Sequence, residues 1–125
     1  MGLNNMNSLK FSDLRRANLE RIPQYRNRKG HFVHSRHDGS DYSPEWWLQA
    51  VAGELGEYAN IRKKHTRGDY DDEEFLQMAR DELADVAIYL DLLALQFGID
   101  LDGAIVDKFN RRSREIGSSV FLAPV

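Results

Sequence analysis

The segment from Glu73 to Phe97 constrains the fold most, because its apolar side chains recur every three, four or seven residues. This spacing places them on one stripe of an α-helix of about seven turns. No segment of the chain alternates convincingly with period two, so the sequence predicts an all-α protein. The side chains on the stripe are Phe75, Met78, Glu82, Val86, Tyr89 and Leu93.

Helix start and stop signals predict three further helices. Pro23 ends the N-terminal helix, and Pro44 and Glu45 lie in the first turn of the helix that follows it. Gly98 ends the long helix described above, and Gly117 ends the last helix. Short links between long helices favour an antiparallel bundle of about four helices. The predicted helices span residues 8–22, 44–64, 73–97 and 101–116. Their predicted N-caps, in the same order, are Ser8 or Ser12, Ser43, Asp71 or Asp72, and Asp100.

The length of 125 residues predicts a single domain over residues 1–125. The absence of cysteine excludes disulfides, thiol nucleophiles and Cys-ligated zinc. The chain has no apolar signal region at its start and no run of about 18 apolar residues, so we expect a cytoplasmic protein without membrane spans. The expected parts are an N-terminal helix (8–22), a basic loop (23–43), a helical core (44–117) and an apolar tail (118–125).

Charge is distributed unevenly along the chain. Residues 1–40 contain eight Lys or Arg and three Asp or Glu, a net charge of +5, whereas residues 41–125 contain nine and seventeen, a net charge of −8. A basic arm is compatible with nucleic-acid binding, because cationic side chains that contact phosphates supply affinity. The acidic remainder argues against this hypothesis. It stays as one alternative, beside a helical assembly protein whose acids form buried pairs.

Two pairs of acids fall where a core is expected. Glu54 and Glu57 are three residues apart on the second helix, and Glu82 and Asp85 are three apart on the third, so each pair shares a helix face. Antiparallel packing would bring the pairs face to face, where four ionised carboxylates repel one another unless they are neutralised. Because all four ligands are hard oxygens, the pattern favours Mg²⁺, with Mn²⁺ as a substitute. No Glu-x-x-His motif accompanies them, which argues against a di-iron bundle.

The glycines around the first pair are a further irregularity. Gly53 precedes Glu54 and Gly56 precedes Glu57, although each glycine inside a helix is less favourable than alanine by about 1 kcal/mol. Departures of this kind concentrate at functional sites. We expect the glycines to leave space for another helix or a ligand.

The ordered motifs resemble the MazG-like, all-α nucleoside triphosphate pyrophosphohydrolases. Glu54-x-x-Glu57 is followed by a lysine pair ending at Lys64, then by Glu82-x-x-Asp85, and the likeness covers roughly residues 43–120. Lys108-Phe109-Asn110 resembles the basic element of the family's last helix. Residues 10–22, with Asn18 and Arg21, match more loosely an N-terminal helix of some small members.

The resemblance implies hydrolysis of a nucleoside triphosphate between the α and β phosphates, giving the monophosphate and pyrophosphate. Glu54, Glu57, Glu82 and Asp85 would be the catalytic residues and would hold two or more Mg²⁺ ions, with Glu54 as the base. Uncovered apolar surface, together with the resemblance, predicts a homodimer or a dimer of dimers.

A triphosphate needs cationic and polar residues around it. Lys108 and Arg111 share a face of the last helix, and Lys64 follows the first acid pair. A solvated basic face is the alternative interpretation for such residues. The loop histidines His31, His34 and His37 fit a flexible loop that is a candidate lid. The predicted substrate-binding residues are Lys64, Lys108, Arg111, Asn110, Asn60, Asn18, Arg21 and Trp47.

Overall fold

The computed structural model describes residues 9–26, 28–30 and 43–123, and all regular elements in these ranges are helices. The all-α prediction is therefore confirmed. No helix in the described ranges is both long and apolar enough to cross a membrane. In chain order the elements are α1 (Phe11–Arg21), a short 3-10 helix (Ile22–Gln24), α2 (Pro44–Thr66), α3 (Asp72–Leu95) and α4 (Leu101–Glu115).

Most helix ends follow the predicted signals. Ser43 caps α2 ahead of Pro44, and Asp71 caps α3 by accepting a 2.8 Å hydrogen bond from the backbone N–H of Glu74. Past α3 and α4, Gly98 and Gly117 adopt positive φ angles of 65° and 71°, a conformation that side chains disfavour.

The predicted cap of α1 is wrong. Lys10 is the N-cap, because its backbone N–H donates to the Asp13 carboxylate over 3.2 Å. Ser12 therefore lies inside the helix, and Ser8 lies outside the described residues. The sequence offers two serines as caps, whereas in the structure an acid three residues after the cap accepts from the N–H of the N-cap residue itself, as in one half of a capping box.

α2 and α3 form an antiparallel pair joined by residues 67–71. His65, near the end of α2, stabilises the turn between α2 and α3. Its Nδ1 lies 2.9 Å from the Arg62 guanidinium and its Nε2 lies 2.8 Å from the Asp72 carboxylate, while its ring stacks on Phe75 at 4.2 Å. Because a guanidinium only donates, Nδ1 accepts from Arg62 and Nε2–H donates to Asp72.

α1 lies across the second half of α3 and is held there by a buried carboxylate. Asp91 is only 1% exposed and accepts hydrogen bonds from Arg15 Nε (3.1 Å) and Asn18 Nδ2 (2.9 Å). Arg15 also donates to the Ile99 carbonyl over 2.6 Å. Asp91 lies off the apolar stripe of α3, a position that favours a surface acid, yet the structure buries it under α1. Its charge is buried because a guanidinium and an amide together replace the lost water.

The C-terminal segment beyond α4 is extended and packs on α4. The side chain of Asn110 forms a two-way pair with Leu122, donating to its carbonyl over 2.8 Å and accepting from its N–H over 2.7 Å. α4 itself contacts α1. The described part of the tail, residues 118–123, therefore contacts the α4 helix of its own chain.

Candidate metal centre

Three carboxylates meet between α2 and α3. Glu54 lies in the middle of α2, and Glu82 and Asp85 lie in the middle of α3; all three are half-buried. One oxygen from each side chain lies within 4.8 Å of the others. The antiparallel pairing of the helices brings these residues together from distant parts of the sequence.

Glu57 borders this group from an exposed position one turn after Glu54. It is outside the set of three oxygens that could share one ion. Its charge and its hydrogen bonds nevertheless raise the pKa of both Glu54 and Glu82. Glu57 is therefore an electrostatic neighbour of the cluster.

The surroundings of Glu54 favour its neutral form. Burial is the largest cause, followed by the hydrogen bond to Glu82 and the negative charges of Glu57 and Asp85, and together they raise the pKa of Glu54 from 4.5 to about 7. For Glu82, the hydrogen bond with Glu54 lowers the pKa. The bond to Glu57, burial and the neighbouring charges outweigh it, so the pKa of Glu82 is raised as well.

Two oxygens of the cluster lack a donor. Glu54 Oε2 and Glu82 Oε2 are both buried and have no hydrogen-bond partner among the residues that the structure describes. A bond between the two carboxyl groups forms only when one of them carries a proton, because two ionised carboxylates are both acceptors. A buried oxygen without a partner is unfavourable, and a cation would satisfy it. The donor set of carboxylate oxygens alone fits Mg²⁺ or Mn²⁺.

The glycines beside the cluster do not bring another helix close. A Cβ added at Gly53 or Gly56 would meet no atom within 4 Å. Both glycines are exposed on α2. Within the described residues no other helix fills the space beside these glycines, so that expectation is not met. The prediction that remains is that a ligand or a partner occupies this space.

Tyr89 connects the cluster to the end of α1. Burial is the largest cause that raises the pKa of the Tyr89 hydroxyl, and Glu54, Tyr25 and Asp85 raise it further. The positive charge of Arg21 lowers the pKa of Tyr89. The Arg21 guanidinium lies 5.4 Å from the centre of the Tyr25 ring. Arg21, one predicted substrate residue, and the Glu54 carboxylate thus both lie close enough to Tyr89 to act on its hydroxyl. Tyr25 was missed, because an isolated tyrosine after a helix carries no periodic signal.

Two other predicted substrate residues share the side of α2 that carries Glu57. Asn60 and Lys64 follow it at spacings of three and seven and are exposed. Lys108 and Arg111 are exposed on α4, which packs against α1. In the described part of the chain no hydrogen bond or ion pair joins these two residues to the carboxylates.

Three predicted substrate residues are used within the protein. Asn18 is 2% exposed and donates to Asp91, and Asn110 uses both ends of its amide on the tail. Trp47 is 3% exposed and its ring centre lies 4.8 Å from that of Trp46 in an edge-on arrangement, so the predicted substrate residue Trp47 occupies a core position. The helical position of Trp47 fits a substrate contact and a core position equally well, and only the packing of the folded chain distinguishes the two.

Comparison of the chain with the profiles of protein families gives no match, and comparison with curated protein sequences gives none either.

The histidines at 31, 34 and 37, and most of the predicted basic loop, lie outside the described residues. Two of the three cations of α1 have acidic partners: Arg15 pairs with Asp91, and Arg16 pairs with Asp13 over 2.6 Å. This part of the basic arm therefore offers less charge to a nucleic acid than its sequence implies.

Proposed function

We propose that the protein is a Mg²⁺-dependent nucleoside triphosphate pyrophosphohydrolase, which hydrolyses its substrate between the α and β phosphates to the monophosphate and pyrophosphate. The observation that carries the proposal is the pair of buried oxygens on Glu54 and Glu82 that lack donors beside Asp85. The resemblance of the ordered acid motifs to the MazG-like enzymes supports the reaction type.

The carboxylates of Glu54, Glu82 and Asp85 would hold the first cation, and Glu57 would join them for a second. Bound Mg²⁺ would supply charge neutralisation on the phosphate oxygens and would lower the pKa of a coordinated water. Mn²⁺ has the same preference for oxygen ligands and is the expected substitute. The cluster already provides a donor set of the required chemistry.

Glu54 is the residue that we assign to accept the proton of the attacking water. Once Mg²⁺ offsets the neighbouring negative charges, the Glu54 carboxylate would be ionised, which is the form that accepts a proton. It is also half-buried, so its orientation is set by the packing of α2 against α3. Asp85 and Glu57 keep negative charge beside it.

The chain's own cations would bind and orient the phosphates. Arg21 lies near the cluster through Tyr89, and Lys64 lies on the side of α2 that carries Glu57. The Tyr89 hydroxyl keeps its proton because its pKa is raised, so it can donate a hydrogen bond to a phosphate or a sugar oxygen. We retain Lys108 and Arg111 as proposed contacts on α4.

The bond that is cleaved can be read directly from the products. We expect ³¹P NMR of a panel of deoxy- and ribonucleoside triphosphates with Mg²⁺ to show a monophosphate and pyrophosphate. Release of a diphosphate and inorganic phosphate would contradict the proposed cleavage site. No turnover of any nucleotide with either Mg²⁺ or Mn²⁺ would contradict the proposed activity.

We also propose that the protein works as a homo-oligomer. Only four apolar residues among those described are fully buried, namely Trp47, Ala79, Leu92 and Ala94. Such a small core is a marginal basis for a folded domain of this size. Further apolar burial between copies would supply what the protomer lacks.

A further inference from the structure

The register of α1 against α3 directs the end of α1 towards the carboxylate cluster. Arg15 donates to the Ile99 carbonyl over 2.6 Å, and Asn18 donates to the Ile88 carbonyl over 3.4 Å, so α1 runs antiparallel to α3. Residues beyond Asn18 therefore advance towards the middle of α3, where the cluster lies. Arg21 follows Asn18 by three residues on the same side of the helix. It is thus the arginine of α1 that is nearest in register to the cluster.

Arg21 differs from the other two arginines of α1 in what its guanidinium contacts. Arg15 and Arg16 each pair with an aspartate, so N–H groups of both are used within the chain. Among the described residues no acid pairs with Arg21, and its guanidinium carbon lies 5.4 Å from the centre of the Tyr25 ring. A cation–π contact holds a guanidinium against the face of a ring. Because the ring does not accept the paired N–H bonds that a carboxylate accepts, these donors stay available to a phosphate.

Tyr25 is placed by the short 3-10 helix that follows α1. Its backbone N–H donates to the Ile22 carbonyl over 3.4 Å. The Arg26 guanidinium donates to the carbonyls of Pro23 over 2.8 Å and of Tyr25 over 3.1 Å, and the ring of Pro23 restricts its own φ angle. Tyr25 is 36% exposed, so its ring is not taken up by the core. The ring is therefore a fixed support at the surface for the guanidinium.

The Tyr89 hydroxyl relates this support to the carboxylates. Tyr89 is half-buried on α3, one turn after Asp85. Burial raises the pKa of its hydroxyl most, the charges of Glu54 and Asp85 add to the rise, and the charge of Arg21 opposes it. The acids and the guanidinium thus act on the same hydroxyl. An anion bound at the cluster would be subject to the positive charge of Arg21 in the same way.

We propose that Tyr25 is a positioning residue, which holds the Arg21 guanidinium ready for the phosphates of the substrate. The inference rests on the proposed function, because Arg21 is assigned there to the triphosphate. An unrestrained arginine loses rotamer freedom when it binds, whereas a guanidinium that already lies on a ring has lost much of it beforehand. Tyr25 acts through Arg21 and does not touch the substrate. Removal of the ring should therefore weaken phosphate binding, but less than removal of Arg21 does.

The test is the affinity for Mg²⁺-tripolyphosphate, measured by isothermal titration calorimetry. This probe has neither base nor sugar, so a contact between Tyr25 and a nucleoside does not contribute to its binding. We expect Tyr25→Ala to bind it roughly 3- to 10-fold more weakly than wild type, and Tyr25→Phe, which keeps the ring, to stay within about twofold. Tyr70→Ala is the matched control and should bind as wild type does, because Tyr70 is a partly exposed tyrosine in the turn between α2 and α3.

A double-mutant cycle separates positioning from a direct role. In the background of Arg21→Ala, the change Tyr25→Ala should cause no further loss of affinity, because the group that Tyr25 holds is gone. An equal loss in both backgrounds would overturn the proposal, and so would wild-type affinity in Tyr25→Ala or in Arg21→Ala. A wild type that does not bind tripolyphosphate would overturn it too. Binding with this pattern, but without turnover of any nucleotide, would support the positioning role and contradict the proposed activity alone.

Tyr25→Leu keeps the proposal testable if Tyr25→Ala does not fold. Leucine supplies an apolar side chain without a π face, so Tyr25→Leu should retain the wild-type Tm and still lose affinity for tripolyphosphate. In turnover it should raise KM roughly 3- to 10-fold and leave kcat within about twofold, because Arg21 binds the phosphates before and during the reaction. A decrease in kcat at unchanged KM would contradict a positioning role for Tyr25.

Discussion

Glu54 on α2 and Glu82 on α3 face each other across the helix pair with carboxylate oxygens within 4.8 Å, and each keeps a buried oxygen without a donor among the described residues. In the metal-free protein the two groups therefore favour a protonated form, and we propose that a cation takes the place of the proton at neutral pH. Asp85 lies within 4.8 Å of both and adds to the negative charge. The predictions on pH, metal and catalysis follow from this pair.

The stability of the metal-free protein should fall as the pH rises. The pKa of the Glu54 carboxyl is about 7 in the folded protein, whereas the ordinary value for a glutamate is 4.5. The folded state therefore favours the protonated form of Glu54. Its stabilising contribution is complete below pH 4.5 and is lost as the pH rises through 7. In EDTA we expect Tm to decrease by a few degrees over this range, after allowance for solvent screening.

Glu54→Gln is the control for this pH effect, because the amide does not titrate. We expect its Tm to change less than that of wild type between pH 5 and pH 7.5. Parallel curves for the two proteins would show that the pH dependence arises elsewhere.

Mg²⁺ should stabilise the folded protein through the cluster. A ligand that binds only the folded state at 100 times its Kd adds about 2.7 kcal/mol, which is a rise in Tm of roughly ten degrees for a domain of this size. We expect the rise in wild type and in Glu73→Gln, an exposed acid on the same helix, and its loss in Glu82→Gln. A purely structural role for the buried acids predicts no difference between metal and EDTA.

Removal of the Asp91 side chain should be strongly destabilising. Asp91→Ala leaves the Arg15 guanidinium without its buried partner and also removes the acceptor of Asn18, and a broken buried pair costs about 3–5 kcal/mol. Urea denaturation followed by circular dichroism measures this loss. Asp81→Ala, at an exposed position on α3, should change the free energy of unfolding by less than about 0.5 kcal/mol.

Arg21 should act on substrate binding. Loss of one charged contact to a phosphate weakens binding by about 1.5–3 kcal/mol, so we expect Arg21→Ala to raise KM roughly 10- to 100-fold. Arg16→Ala on the same helix removes a surface ion pair with Asp13 and should leave KM within twofold. Equal KM values for the two variants would place the triphosphate away from the end of α1.

Local signals in the sequence predict the helices well because caps, glycines and apolar periodicity act over a few residues. Asp71 and Gly98 are examples, since each acts on the turn of helix next to it. The cluster was partly predictable for the same reason, because two i, i+3 pairs on antiparallel helices must approach each other.

The rest depends on packing across the chain. Asp91 and Trp47 have helical positions that fit a surface or a site as well as a core; for Asp91 the approach of α1 decides between them, and Trp47 is buried in the folded chain. Likewise Asn110 carries no sign that its amide pairs with Leu122, because that contact depends on how the tail folds back. Side chains with more than one good partner need the tertiary structure.

The central claim is most directly tested by pyrophosphate release with Mg²⁺ from three proteins: wild type, Glu82→Gln and Glu73→Gln. We predict turnover by wild type and by Glu73→Gln that EDTA abolishes, and a decrease of at least 100-fold in Glu82→Gln, which should remain folded by circular dichroism. Wild-type turnover in Glu82→Gln, or turnover that persists in EDTA, would contradict the carboxylate cluster as the metal-dependent active site.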